Sequence, residues 1–132
     1  MLASQFSALP MVRATLTRLQ QEIGEGGRIV AEGRDTGTVV FPDAAWKFFL
    51  DASAEVRAQR RAAQLRSKGE TVDEQALLAQ IIKRDKDDRE RSLAPLRAAA
   101  DAIILDSTET PADAVVERMH AHILATSCCR EE

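Results

Sequence analysis

Arginines and aspartates recur in this chain at spacings suited to gripping an anion. Arg84, Asp88 and Arg91 fall at i, i+4 and i+7, so a helix carrying them projects two guanidiniums and one carboxylate from a single face. Such a set can receive a nucleoside monophosphate: the carboxylate accepts from ribose hydroxyls while the planar forks hold phosphate oxygens. The same spacing also describes a solvated charged face, and the neighbouring pairs Lys83/Asp87 and Asp85/Arg89 fit that description. Arg34-Asp35 sits between Gly33 and Gly37, directly after the short apolar run Ile29-Val30-Ala31. A ligand site at the carboxyl end of a strand is one reading; a turn in which Asp35 bonds its own backbone is the other. Arg57, Arg60 and Arg61, followed by Arg66, crowd a third segment. Arg57 and Arg61 repel at i, i+4, a cost an anionic ligand would offset, unless their stems lie over apolar neighbours and their charges point to water.

The elements that must position these residues follow from periodicity and punctuation. Pro10 opens a helix over 10–23 that places Val12, Leu16, Leu19 and Ile23 at helical spacing before Gly24. Ile29-Val30-Ala31 reads as a strand ending in the Gly33–Thr38 loop, and Lys47-Phe48-Phe49-Leu50 as a second strand. Ser53 is placed to cap the helix bearing Arg57, Arg60, Arg61 and Leu65, which should stop near Gly69. Asp73 is placed to cap a long helix through Leu77, Leu78, Ile81 and Ile82 into the charged stretch 83–91. Ala102-Ile103-Ile104-Leu105 reads as a buried strand, and Thr110-Pro111 opens a last helix with Val115, Met119 and Ile123 inward. Strands alternating with helices imply an α/β fold with parallel crossovers, and three strands are few for it.

Composition narrows the function classes. With 132 residues the chain is one domain by size, and its 18 basic against 21 acidic side chains give a net charge of -3. That balance argues against a nucleic-acid or anionic-membrane partner, and no apolar run reaches the roughly 18 residues that span a bilayer. The two cysteines, Cys128 and Cys129, are adjacent and cannot staple distant parts of the fold, which fits a reducing, cytoplasmic setting. His120 and His122 point apart on a helix, and no Cys or His stands at metal-ligand spacing, so no metal site is expected. Serines and threonines lack an organised His-acid partner, leaving little support for a nucleophilic hydrolase. Neither G-x-x-x-x-G-K-[ST] nor G-x-G-x-x-G occurs.

The string from Glu32-Gly33-Arg34-Asp35-Thr36-Gly37-Thr38 through Val39-Val40-Phe41-Pro42-Asp43-Ala44 resembles the signature of bacterial cytidylate kinases. Phe49-Leu50-Asp51-Ala52-Ser53 with Arg57, Arg60 and Arg61 continues it, as do Arg84-Asp85, Asp88, Arg91, Pro95-Leu96 and Asp101 through Ser107, so the likeness runs from about Ser4 to Ala125. It implies a partial P-loop nucleoside monophosphate kinase fold, with helices around an incomplete parallel sheet. Residues 1–126 would be the C-terminal part of the kinase core including the lid, and 127–132 a disordered tail. It further implies that Ser4, Arg13 and Asp35 face cytosine, Arg84 and Asp88 the sugar, and Arg34 and Arg91 the CMP phosphate. Arg57, Arg60 and Arg61 would be phosphate-stabilising residues of the lid. An ionised Asp35 suits the amino group of cytosine and not the carbonyl of uracil.

The same resemblance implies CMP or dCMP and ATP as ligands of the intact enzyme, with Mg²⁺ carried by ATP and none held tightly by this chain. The loop that cradles ATP is not encoded in these residues, so the isolated chain is expected to be inactive. In the family's strand order a further strand would lie between those ending at Glu32 and Leu50, and the resulting gap predicts self-association. The alternative is a non-catalytic nucleotide-binding or interaction module that needs a P-loop partner.

Overall fold

A computed structural model describes residues 9–127. Helix α1 spans Pro10–Gly24, a π-helical turn Thr36–Val40, strand β1 Phe48–Asp51, helix α2 Ala54–Ser67, helix α3 Glu74–Glu90, strand β2 Ile103–Asp106 and helix α4 Ala112–Ser127. The fold is α/β, and β1 and β2 form a two-stranded parallel sheet. Contacts divide the described residues into two compact units, one of residues 9–45 and 88–100, the other of residues 46–87 and 101–127.

In the first unit α1 begins with Pro10 at its first turn, where a missing N–H costs nothing. Three links along α1 bind it to the Arg34–Phe41 segment. Arg13 donates to Asp35, Gln21 Nε2 donates to the Val40 carbonyl at 3.0 Å, and Gly24 lies so close to Phe41 that a Cβ there would fall 2.5 Å from the ring. The π turn is closed by Phe41 N donating to the Thr36 carbonyl at 2.7 Å. Val40 is buried beneath it. Just before the turn, Gly33 lies close to Thr36, and a side chain there would force Thr36 Oγ1 to move. Much of the apolar side of α1 stays open to water: Met11 is 82% and Ile23 75% exposed.

The expected strand Ile29-Val30-Ala31 does not form. A strand exists only where a second backbone meets its N–H and C=O groups, and among the described residues none bonds to this run. Val30 is fully exposed. The sheet therefore has two strands among the described residues, against an expectation of three.

In the second unit the parallel register pairs Phe48 with Ile103 and Asp51 with Asp106. Ile103 N donating to the Lys47 carbonyl and Ser107 N to the Asp51 carbonyl extend the ladder at both ends. Ser53 caps α2 by accepting from Val56 N, and Asp73 caps α3 by accepting from Gln75 N and Ala76 N. Helix α2 ends through Gly69 at φ +81°, with Glu70 N donating back to the Leu65 carbonyl, a closure that glycine adopts without steric cost. Helix α4 meets β1 through Trp46 Nε1 donating to Thr126 Oγ1 and an edge-on contact of Phe48 with His122.

The core is small. Ala52, Ala58, Ala62, Leu105 and Val115 are buried in this unit, and among the described residues no large apolar side chain is fully buried. Ile104, expected inside, is 65% exposed, because alternate strand residues face opposite sides and only one side of this pair is covered. Val115 is buried as expected on α4, with Met119 and Ile123 half-buried. No helix among the described residues is long and apolar enough to cross a membrane.

Candidate functional site

The first unit gathers five of the sequence-predicted residues into linked ion pairs. Helix α1 delivers Arg13, which donates through Nη1 to Asp35 Oδ2, with both side chains largely buried. The next residue back, Arg34, donates through Nε to Asp88 Oδ2 on the last turn of α3. Arg91 lies 3.6 Å from the other oxygen of the same carboxylate. Asp88 thus stands between two guanidiniums, Arg34 from the loop after Gly33 and Arg91 three residues further along the chain.

Backbone geometry aims these groups. The π turn holds Asp35 by its carbonyl, which accepts from Val39 N at 2.8 Å. Beyond α3 the chain doubles back, with Leu96 N donating to the Asp88 carbonyl at 2.7 Å. In that return Ala94 sits at φ +50°, a conformation costly for a residue with a side chain, and its carbonyl accepts from Arg91 Nε. Arg91 is therefore oriented from both sides. Its Nη2 is buried and has no hydrogen-bond partner. A buried donor on a charged group left unsatisfied is costly, and such an atom is where an anion would be received.

The second unit holds the lid candidates. Arg57 lies fork-on to Asp85, with Nη1 to Oδ1 at 2.8 Å and Nη2 to Oδ2 at 2.5 Å, while Nε donates to the Ala52 carbonyl. The hydrogen bond to Asp85 pushes the Arg57 pKa above its ordinary value, and Asp85, Asp51 and Glu55 add to this electrostatically, against the lowering effect of burial. Arg60 donates to Ser107 Oγ and to the Ser107 carbonyl, and Ser107 Oγ in turn donates to the Asp51 carbonyl. Arg61 reaches only Gln64 Oε1 on its own helix and is exposed. The repulsion expected between Arg57 and Arg61 is thus relieved by a carboxylate already in the fold.

Arg84 belongs to this second unit and is exposed on α3. Ser4 and the two cysteines lie outside the described residues. Spacing does not single out Asp85 and Ser107 as site residues, because their partners stand 28 and 47 residues away in sequence. Ser107 carries one signal, its place just past the end of a parallel strand. Among the described residues no three His, Cys, Asp or Glu side chains gather as metal ligands. The carboxylates of Asp35, Asp85 and Asp88 are each engaged by arginine, so these residues do not fit a resident Mg²⁺.

Residues 1–125 match the family model described as Cytidylate kinase. The chain belongs to the cytidylate kinase family. Proteins named cytidylate kinase from Pseudomonas aeruginosa strain UCBPP-PA14 and from Pectobacterium carotovorum subsp. carotovorum strain PC1 are 55% and 54% identical to it over 120 residues. The matches cover 91% of this chain and 52% and 53% of theirs. A cytidylate kinase from Vibrio cholerae serotype O1 is 54% identical over 123 residues, 93% of this chain and 55% of its own. The chain spans about half the length of the curated relatives it matches. Its helices and short parallel sheet are part of the nucleoside monophosphate kinase fold expected of a cytidylate kinase.

Proposed function

We propose that this chain carries the CMP-receiving residues and the lid of a cytidylate kinase, whose whole activity is transfer of the ATP γ-phosphoryl group to CMP or dCMP. The observation that carries this reading is the Arg34–Asp88–Arg91 cluster with its buried, unpartnered Arg91 Nη2. Arg34 and Arg91 receive the CMP phosphate, and Asp88 accepts from the sugar. The Arg13–Asp35 pair offers a donor and an acceptor side by side, matching the carbonyl and amino groups of the cytosine edge. Uracil would set a carbonyl against Asp35, a mismatch costing about 1–3 kcal/mol. Ser4 and Arg84 are assigned to base and sugar by resemblance. Arg57, Arg60 and Arg61 stabilise phosphates from the lid. Mg²⁺ enters as the counter-ion of ATP.

Phosphoryl transfer needs positioning and charge neutralisation more than a covalent nucleophile. These 132 residues contain no G-x-x-x-x-G-K-[ST], so nothing here supplies the backbone donors, lysine and hydroxyl that hold ATP in line with the acceptor. By itself the chain binds CMP without turning it over. The exposed apolar side of α1, open Val30 and a sheet of two strands favour self-association in solution, which sedimentation at tens of micromolar would contradict by showing a compact monomer. Adjacent thiols near the C-terminus fit a cytoplasmic setting.

Calorimetric titration with CMP tests the reading, run on the chain and on R34M and R91M. Binding by the parent and its loss in either variant is expected; equal binding by all three removes the phosphate assignment. CDP formation from Mg-ATP and CMP by the purified chain is expected to be negligible. Turnover approaching roughly 1–100 per second would mean a phosphate cradle built from other residues.

A further inference from the structure

Within the second unit the best-satisfied guanidinium is also one assigned above to phosphate. Arg57 has five N–H donors, and three of them are committed: two to Asp85 and one to the Ala52 carbonyl. Its electrostatic surroundings are Asp85, Asp51 and Glu55, all carboxylates. A phosphate chain approaching this position meets three like charges and finds the face of the fork nearest Asp85 occupied. Arg61, by contrast, faces only the neutral Gln64. The side chains of Arg57 and Asp85 are 34% and 21% exposed, so water and ligands reach the pair from one side.

We propose that Asp85 is a positioning residue that occupies the Arg57 fork in the resting chain and yields it to a polyphosphate, making the α2–α3 ion pair a latch on the lid. The physical basis is competition for one geometry. Carboxylate and phosphate both take a guanidinium through two parallel N–H···O bonds, and they cannot both hold the same edge. While the pair is closed it joins α2 to α3 and keeps Arg57 against the end of β1. When a phosphate takes the fork, Asp85 gives up its hold on Arg57, and the separation of the two helices is no longer fixed at that point. The resting pair therefore subtracts from polyphosphate affinity while adding to stability. A purely structural ion pair would leave affinity unchanged or lower it when broken.

This latch rests on the lid assignment of Arg57, and the two can be separated. Inorganic tripolyphosphate, without Mg²⁺, is titrated into the chain and into D85N, R57M and the double variant. The D85N substitution keeps the shape of the side chain and removes its charge. The expected result is a roughly 1.5- to fivefold gain in affinity for D85N, from the usual worth of a partly exposed ion pair, together with a lower thermal midpoint. The gain should vanish in the R57M background.

Loss of binding in R57M without a gain in D85N leaves the lid assignment standing and overturns the latch. A gain that persists without Arg57 also overturns it, and identical binding by all four chains overturns both. The unsubstituted chain gives an independent check by NMR, should D85N fold poorly. The Arg57 Nε–H and Asp85 carboxylate resonances should move together as tripolyphosphate is added, and an Asp85 resonance that stays still while Arg57 moves rejects the exchange.

Discussion

The arginines of the first unit and those of the second are engaged differently, although both sets stand out equally in the sequence. In the first unit two guanidiniums share one carboxylate, and Arg91 keeps a buried donor without a partner. In the second, Arg57 meets Asp85 fork-on, and Arg60 is bound to the backbone and hydroxyl of Ser107 at the end of the sheet. Local charge explains part of the contrast. Asp88 is divided between Arg34 and Arg91, whereas Asp85 meets Arg57 with both oxygens. An arginine with a shared counter-charge has unspent capacity for an anion; one that is fully matched contributes to stability until something displaces its partner.

The sharpest way to break this comparison is to exchange the effects of Arg91 and Arg60. R91M should weaken CMP binding by at least about tenfold, the loss of a charged hydrogen-bonding group from a largely buried position, and change the unfolding midpoint little. R60M should do the reverse. It removes the two bonds to Ser107 that tie α2 to the end of β2, and a destabilisation of about 1–3 kcal/mol is expected in denaturant unfolding, with CMP affinity kept. If R60M abolishes CMP binding in a folded chain, the division between arginines that receive CMP and lid arginines anchored in the fold is wrong.

A smaller effect tests whether α2 is held as firmly as Arg60 requires. Ser53 caps the helix through Val56 N, and S53A should cost about 1 kcal/mol of stability, again without touching CMP affinity. The smallest effect lies at the far end of the sheet. Lys47, whose side chain is nearly buried, pairs with exposed Asp101 at 2.6 Å, and that bond holds the Asp101 carboxyl below its ordinary value of 3.8. A carboxyl whose pKa is depressed in the folded state stabilises it above the unfolded value and loses that contribution as pH falls through the folded one. D101N should therefore flatten the pH dependence of the unfolding midpoint only on the acid side, below about pH 4, and leave it unchanged near neutrality. A difference between parent and variant that still grows above about pH 5, where the Asp101 contribution is already complete, would assign the coupling to another group.

Much of this molecule could be read directly from residue order. Pro10, Ser53, Asp73 and Gly69 mark helix boundaries because capping and left-handed closure are local chemistry, settled within four residues of the site. The arginines and aspartates stood out as candidates for a similar reason: residue type and helical spacing are local, although the same spacing also describes a solvated charged face. Tertiary structure decided what proximity in sequence cannot express. It left Ile29-Val30-Ala31 without a partner strand among the described residues, since pairing depends on a backbone elsewhere. It brought Arg34 to Asp88 across 54 residues, matched Asp85 to Arg57 across 28 residues, and turned Arg60 towards Ser107. Residue order determined which charges the chain carries and on which helices they ride. Long-range packing decided which of them neutralise one another, because a guanidinium accepts whichever carboxylate or carbonyl the fold brings within reach and reserves for a ligand only the donors left over.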